Sequence, residues 1–219
     1  MSAVRNYIDN LDLVDHHVHG VVKDNPTEES FRNMLTESDR TPKNLDDAFN
    51  TQLGMAIRKW CAPILDLPQF ISPQEYFQKR IELGANEVNQ RLLKASGISH
   101  FLIETGFRGN ELHDPAGMQK LSGKKVSEVI RLESIAESVI KNCVSAADFG
   151  NKFHTELENL NKNAVGIKSI IAYRLGLDFD PTPPTDAQVS IAAGEWLKEI
   201  EQTGKVRVTN PVLLRFLIW

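Results

Sequence analysis

The sequence predicts an α/β fold of parallel strands joined by crossover helices. Short apolar runs alternate with longer amphipathic segments along its 219 residues, as expected when strands are covered by helices. Helix-start signals stand before several of the amphipathic segments, where a Ser or Thr hydroxyl and a Glu or Gln three residues on can satisfy free backbone N–H groups reciprocally.

Four strands are expected, at Leu11 to His19, Ile98 to Thr105, Val126 to Glu133 and Val165 to Ile171. The second carries the consecutive apolar residues Phe101, Leu102 and Ile103. Capping boxes are read at Ser72 with Glu75, Ser134 with Glu137, and Thr185 with Gln188, and Pro73 occupies the first helical position after Ser72. After Thr185, the residues Val189, Ala192, Ala193, Trp196, Leu197 and Ile200 follow helical spacing, while Lys198, Glu199 and Glu201 lie off that stripe.

Residues 21–97 form an excursion between the first two strands that is far longer than an ordinary crossover, with helical patterns near Leu45 to Trp60 and Pro73 to Lys94. The expectation is a helical lid over the loops that build the site in parallel α/β folds, the plainer alternative being a decoration of the rim. Residues 1–219 otherwise read as one unit, because Pro181-Thr182-Pro183-Pro184 is a rigid connection too short to separate domains.

Composition narrows the partners. The chain is 41% hydrophobic and 25% charged, with a formal net charge of -4, and no dense Lys/Arg run offers a broad surface to nucleic acid or an anionic membrane. A small-molecule partner is expected. Cys61 and Cys143 lie far apart without paired spacing and read as reduced thiols, which fits a cytoplasmic setting. The first twenty residues lack an uninterrupted apolar stretch behind a basic flank, and nothing later approaches a membrane span.

The chemistry-bearing residues cluster at the ends of the expected strands. In Leu13-Val14-Asp15-His16-His17-Val18-His19, period-two alternation sends His17 and His19 to one face, where both imidazoles can reach a single divalent ion; a satisfied polar strand end is the alternative. Asp15 shares their parity and can orient a ligand, whereas His16 points the other way and reads as structural. Glu104 closes the second strand, and Arg131 and Glu133 close the third; pocket roles and inter-strand ion pairs explain them equally well. Tyr173 and Arg174 follow the fourth strand, with Arg174 suited either to bidentate capture of a carboxylate or to capping a helix. His100, His113 and His154 have no partner at ligand spacing. Phosphate-binding loops, dinucleotide fingerprints, Gly-x-Ser-x-Gly elbows and zinc-ribbon spacings are all missing.

The segment LVDHHVHG resembles the first-strand signature of the amidohydrolase superfamily, and SGISHFLIETGF, VIRLESIAESVI and VGIKSIIAYRLGL extend the resemblance through the fourth strand. The chain is most similar to the amidohydrolase-related branch that includes N-terminal domains fused to glutamine-synthetase-like modules. This resemblance implies a (β/α)8 TIM-barrel type of fold with the first four βα units present. It implies His17 and His19 as metal ligands, one or two divalent ions with zinc expected, and a metal-activated water that attacks a C–N bond of a small molecule. Non-oxidative decarboxylation or isomerisation is the alternative reaction, and a non-catalytic half-barrel the alternative of another class.

Lys168 matches a fourth-strand position near the metal. A carbamylated bridging lysine, a cation for a substrate carboxylate and a simple ion-pair partner all remain open there. The resemblance also requires further histidines and a catalytic aspartate, which are expected beyond Trp219. Asn210 and Pro211 begin a helix that carries no C-terminal cap, so the chain reads as a fragment, with self-association left open.

Overall fold

The computed structural model describes residues 2–219. Its four strands are β1 (Leu13–Val18), β2 (Ile98–Glu104), β3 (Lys125–Arg131) and β4 (Ala164–Lys168), which form one parallel sheet in the order β1-β2-β3-β4. All four expected strands are present, but the third and fourth stop early. The fourth ends at Lys168 because Ser169 turns the chain, its Oγ accepting the Ile171 N–H at 3.0 Å. The third passes straight into a helix after Arg131, so Glu133 is a helical residue rather than a strand end.

The chain divides into two compact units, one running to Ile103 and including Arg108–Val126, the other comprising Glu104–Phe107 and Ser127–Trp219. The first unit begins with the short helix α1 (Ala3–Asp9) and, after β1, carries the excursion as α2 (Glu28–Met34), α3 (Leu45–Phe49), α4 (Gln52–Ala56), a π-helical turn at Ile57–Cys61, α5 (Ala62–Ile64), α6 (Pro73–Leu83) and α7 (Ala85–Ala95). The helical pattern near Pro73 to Lys94 is divided at Gly84, whose φ of +80° belongs to the region that favours glycine. The Leu45 to Trp60 pattern is likewise divided, because Thr51 starts a fresh helix by accepting the Gly54 N–H on its hydroxyl.

Aromatic rings fill the centre of this excursion. Phe31, Phe49 and Tyr76 lie with ring centroids 5.6–6.4 Å apart, in the range where edge and offset contacts add to burial. The Arg80 guanidinium sits 5.1 Å from the Phe31 ring centre. A separate cluster joins β2, through Phe101 and Ile103, to Leu93 of α7 and to Met118 of α8 (Pro115–Ser122).

In the second unit, β3 is followed by α9 (Leu132–Ile140), a 3-10 turn at Ala146–Asp148, α10 (Phe149–Asn161), β4, α11 (Ile171–Arg174), α12 (Asp186–Thr203) and α13 (Pro211–Phe216). Phe149, Phe153, Trp196, Leu213 and Leu214 are buried at its core. Thr185 and Gln188 form the complete reciprocal capping box expected for α12, and Asn210 caps α13 by accepting the Val212 and Leu213 N–H groups. The box expected at Ser134 does not exist: α9 has already begun at Leu132, and the Ser134 hydroxyl donates to the Gly106 carbonyl instead. No helix is long and apolar enough to cross a membrane among the described residues. Cys61 and Cys143 are free and half-buried, and desolvation pushes both thiols up, which disfavours the reactive thiolate.

The backbone directly after the histidine cluster is tightly seated. A Cβ built on Gly20 would lie 1.9 Å from the His113 carbonyl oxygen, and the next residues bond the same neighbour, His113 N–H donating to Val21 O at 2.8 Å and Lys23 N–H to Glu111 O at 3.0 Å. Gly20→Ala therefore has to displace backbone. It is expected to destabilise the protein by about 2–3 kcal/mol, read as a lowered urea midpoint, the cost typical of overpacking a well-filled site.

Candidate functional site

Each candidate residue is placed by the element that carries it. His17 lies at the end of β1 and is exposed, and His19, one residue past the strand, is half-buried. The pairing of β1 with β2 shifts register between Asp15, which faces Phe101, and Val18, which faces Ile103. The alternation that aligns Asp15, His17 and His19 in a regular strand is thus interrupted at His16 and His17, and such bulges re-aim side chains. The Asp15 carboxylate is engaged locally, its Oδ1 accepting the His17 backbone N–H at 3.1 Å.

A divalent metal is the group that the resemblance implies, and the donors can be tested against it. A catalytic zinc site takes three protein ligands and keeps one position open. Among the described residues no group of three or more His, Cys, Asp or Glu side chains is placed to hold an ion. The two imidazoles of His17 and His19 fall short of such a set, and the described residues bring no cluster of three donors together.

The other candidates belong to the second unit, where α9 and the strand ends bring several of them together. Glu104 is 3% exposed, and its Oε2 pairs with Arg131 Nη2 while its Oε1 accepts the Gly106 N–H. Gly106 is required at this point, since a Cβ there would meet Ser134 Oγ at 2.4 Å and Arg131 Cβ at 2.8 Å. Thr105 Oγ1 donates to Glu128 Oε1 at 2.7 Å beside this pair. In the β3–β4 register Arg131 faces Lys168, which is half-buried.

Glu133 is 0% exposed. Its Oε1 accepts the Ser169 hydroxyl at 2.5 Å and the Ile170 N–H at 2.9 Å, so it binds the turn immediately after Lys168. One turn further along α9, Glu137 Oε1 accepts from Arg174 Nη1 at 2.6 Å and from the Val208 N–H at 3.0 Å. Arg174, whose side chain is 5% exposed, also donates to the Val208 carbonyl at 2.9 Å. Its guanidinium is held inside the unit, whereas the neighbouring Tyr173 is 84% exposed. Sequence reasoning gave Glu137 only a capping role with Ser134 and did not single out Ser169. Their signal was the spacing of Glu133 and Glu137 on one helix face and a serine directly following a strand.

No protein-family model matches the chain, and no curated protein matches it. A crystal structure of a Lactobacillus casei protein, named as a candidate metal-dependent hydrolase, is similar with a TM-score of 0.78 and 22% sequence identity over 100% of this chain. The aligned region is 56% of that protein, so the chain spans about half its length. At this identity the likeness establishes a shared α/β fold.

The Glu104–Arg131 pair generates a direct test, because removing one partner of a buried ion pair takes a compensating charge from the other. Arg131→Met should cost about 3–5 kcal/mol in urea unfolding. The double variant Glu104→Gln with Arg131→Met should recover much of that loss, since it leaves no unpaired charge in the interior.

Proposed function

We propose that the chain is part of a metal-dependent hydrolase of the amidohydrolase type, built on a TIM-barrel type of fold and acting on a C–N bond of a small molecule. The observation that carries this reading is the Asp15-x-His17-x-His19 cluster at the carboxyl end of the first strand of a parallel sheet, the end at which such folds place their sites. The overall likeness to the Lactobacillus casei protein supports it. A divalent ion, with zinc expected, would supply Lewis-acid polarisation of a carbonyl and a lowered pKa for water. In this reading His17 and His19 would donate two nitrogens to the ion.

Lys168, Tyr173, Glu104 and Glu133 are the residues this reading takes for substrate binding. Lys168 offers a cation at the end of β4, Tyr173 an exposed phenol just beyond it, and Glu104 and Glu133 hold the surrounding backbone and guanidinium in place. Arg174 serves the same frame through Glu137. One observation favours a second reading, a chain with no catalysis of its own: the described residues bring no third metal-binding donor together.

Titration with cobalt(II) or zinc(II), followed by calorimetry and visible absorption, separates the two. His17→Ala and His19→Ala should each weaken binding at least tenfold, about 1.4 kcal/mol. Unchanged binding in both variants overturns the metal assignment and leaves the non-catalytic reading. A screen for released ammonia or carbon dioxide then distinguishes hydrolysis of an amide from decarboxylation.

Lys168→Met provides a further test on whichever substrate that screen identifies. Turnover or affinity should fall by at least tenfold while the melting temperature moves by less than about 3 °C, within the range of a sub-kcal/mol change. A large loss of stability with intact turnover would take Lys168 out of the site.

A further inference from the structure

The carboxylate of Glu133 is fully buried, yet the contacts it makes are to neutral donors, the Ser169 hydroxyl and the Ile170 N–H. Its second oxygen, Oε2, is buried without a hydrogen-bond partner among the described residues. Burying such a group is costly, and a small apolar residue would fill the start of α9 at less expense. What the carboxylate does uniquely is hold both residues that follow Lys168 through a single oxygen.

The turn is over-determined around that contact. Ser169 donates its hydroxyl to Glu133 and accepts the Ile171 N–H on the same oxygen, so the serine bridges the carboxylate to the first residue of α11. Glu137, one turn along α9, fixes the far end of α11 through Arg174. Two carboxylates on one helix face thus clamp Ser169–Arg174 at both ends, and the clamp nearer to β4 is Glu133.

We infer that Glu133 is a positioning residue that sets the orientation of the Lys168 side chain by locking Ser169 and Ile170 against α9. The inference rests on the proposed place of Lys168 in the pocket for its functional meaning, but not for its geometry. Arg131, the register partner of Lys168, is itself 10% exposed at its side chain and paired with Glu104. The backbone of Lys168 is thus bounded by the paired strand at Arg131 and by the turn that Glu133 holds.

The test uses the full 219-residue chain with its lysines converted to [13C]dimethyl-lysine, Lys168→Arg assigning the relevant NMR signal. Glu133→Ala should move the Lys168 signal and, in a parallel sample whose lysines are left unmethylated, change its acetylation rate at least threefold, with Lys152 and Lys205 unchanged. Glu133→Gln, which keeps an acceptor oxygen for Ser169 and Ile170, should restore the wild-type position and rate. Ser169→Ala removes the bridging hydroxyl and should move the signal in the same direction by a smaller amount, and it serves if Glu133→Ala does not fold. Glu137→Ala is the control for lost stability, since it opens the other clamp and should leave Lys168 in place.

A Lys168 signal unmoved in folded Glu133→Ala or Ser169→Ala protein, or moved equally by Glu137→Ala, overturns the inference. The functional reading fails separately: if Lys168→Met is without effect on binding and turnover while Glu133→Ala still shifts the lysine signal, the positioning role stands and the pocket assignment falls.

Discussion

Glu104, Glu133 and Glu137 place three carboxylates at or near the ends of β2 and β3, the first two 3% and 0% exposed. Charge taken out of water has to be repaid by partners close by, and the effective penalty is several kcal/mol for each ion. The partners are found in the backbone and side chains that leave the strands: Arg131 and the Gly106 N–H for Glu104, Ser169 and Ile170 for Glu133, and Arg174 and Val208 for Glu137. These contacts fix the backbone that leaves the strand ends, beside the apolar anchor that Ile171 and Leu175 give the segment after β4.

The direct passage from β3 into α9 makes this possible. With no loop between Arg131 and Leu132, the first two turns of α9 stand beside the strand ends, and Ser134, Glu133 and Glu137 each reach a different segment. The apolar face of the same helix, through Leu132, Ile135, Ala136, Val139 and Ile140, is buried in the core with Phe149 and Trp196. One helix therefore joins the packed interior to the polar strand ends. A displacement of α9 would be felt at Lys168 without any change in β4 itself.

In the first unit the excursion of residues 21–97 has its own aromatic core at Phe31, Phe49 and Tyr76. It is also tied to the backbone that follows His19, through the Asn89 side-chain amide donating to the Val22 carbonyl at 2.8 Å. The close approach of Gly20 to His113 adds a steric pin to that hydrogen bond. The residues leaving the histidine cluster are thus fixed by two different segments, α7 and the loop before α8, which suits a strand end whose side chains must hold one geometry.

Local chemistry determined much of the architecture. Alternating apolar runs located four parallel strands, and Ser72, Thr185 and Asn210 marked real helix starts, because strand burial and N-terminal capping depend on neighbours within a few residues. The histidine cluster at the end of β1 was legible for the same reason. Tertiary structure decided what the strand-end residues do. Glu133 and Arg174 have the residue types of a substrate pocket, yet they are committed to partners 36 and 37 residues away in the chain, a distance over which no periodicity can report. The false box at Ser134 has the same origin: its spacing was right, but the Gly106 carbonyl brought close by folding took the hydroxyl. The irregular pairing of β1 was also hidden, since a bulge is set by the register of the neighbouring strand and not by the residues that form it.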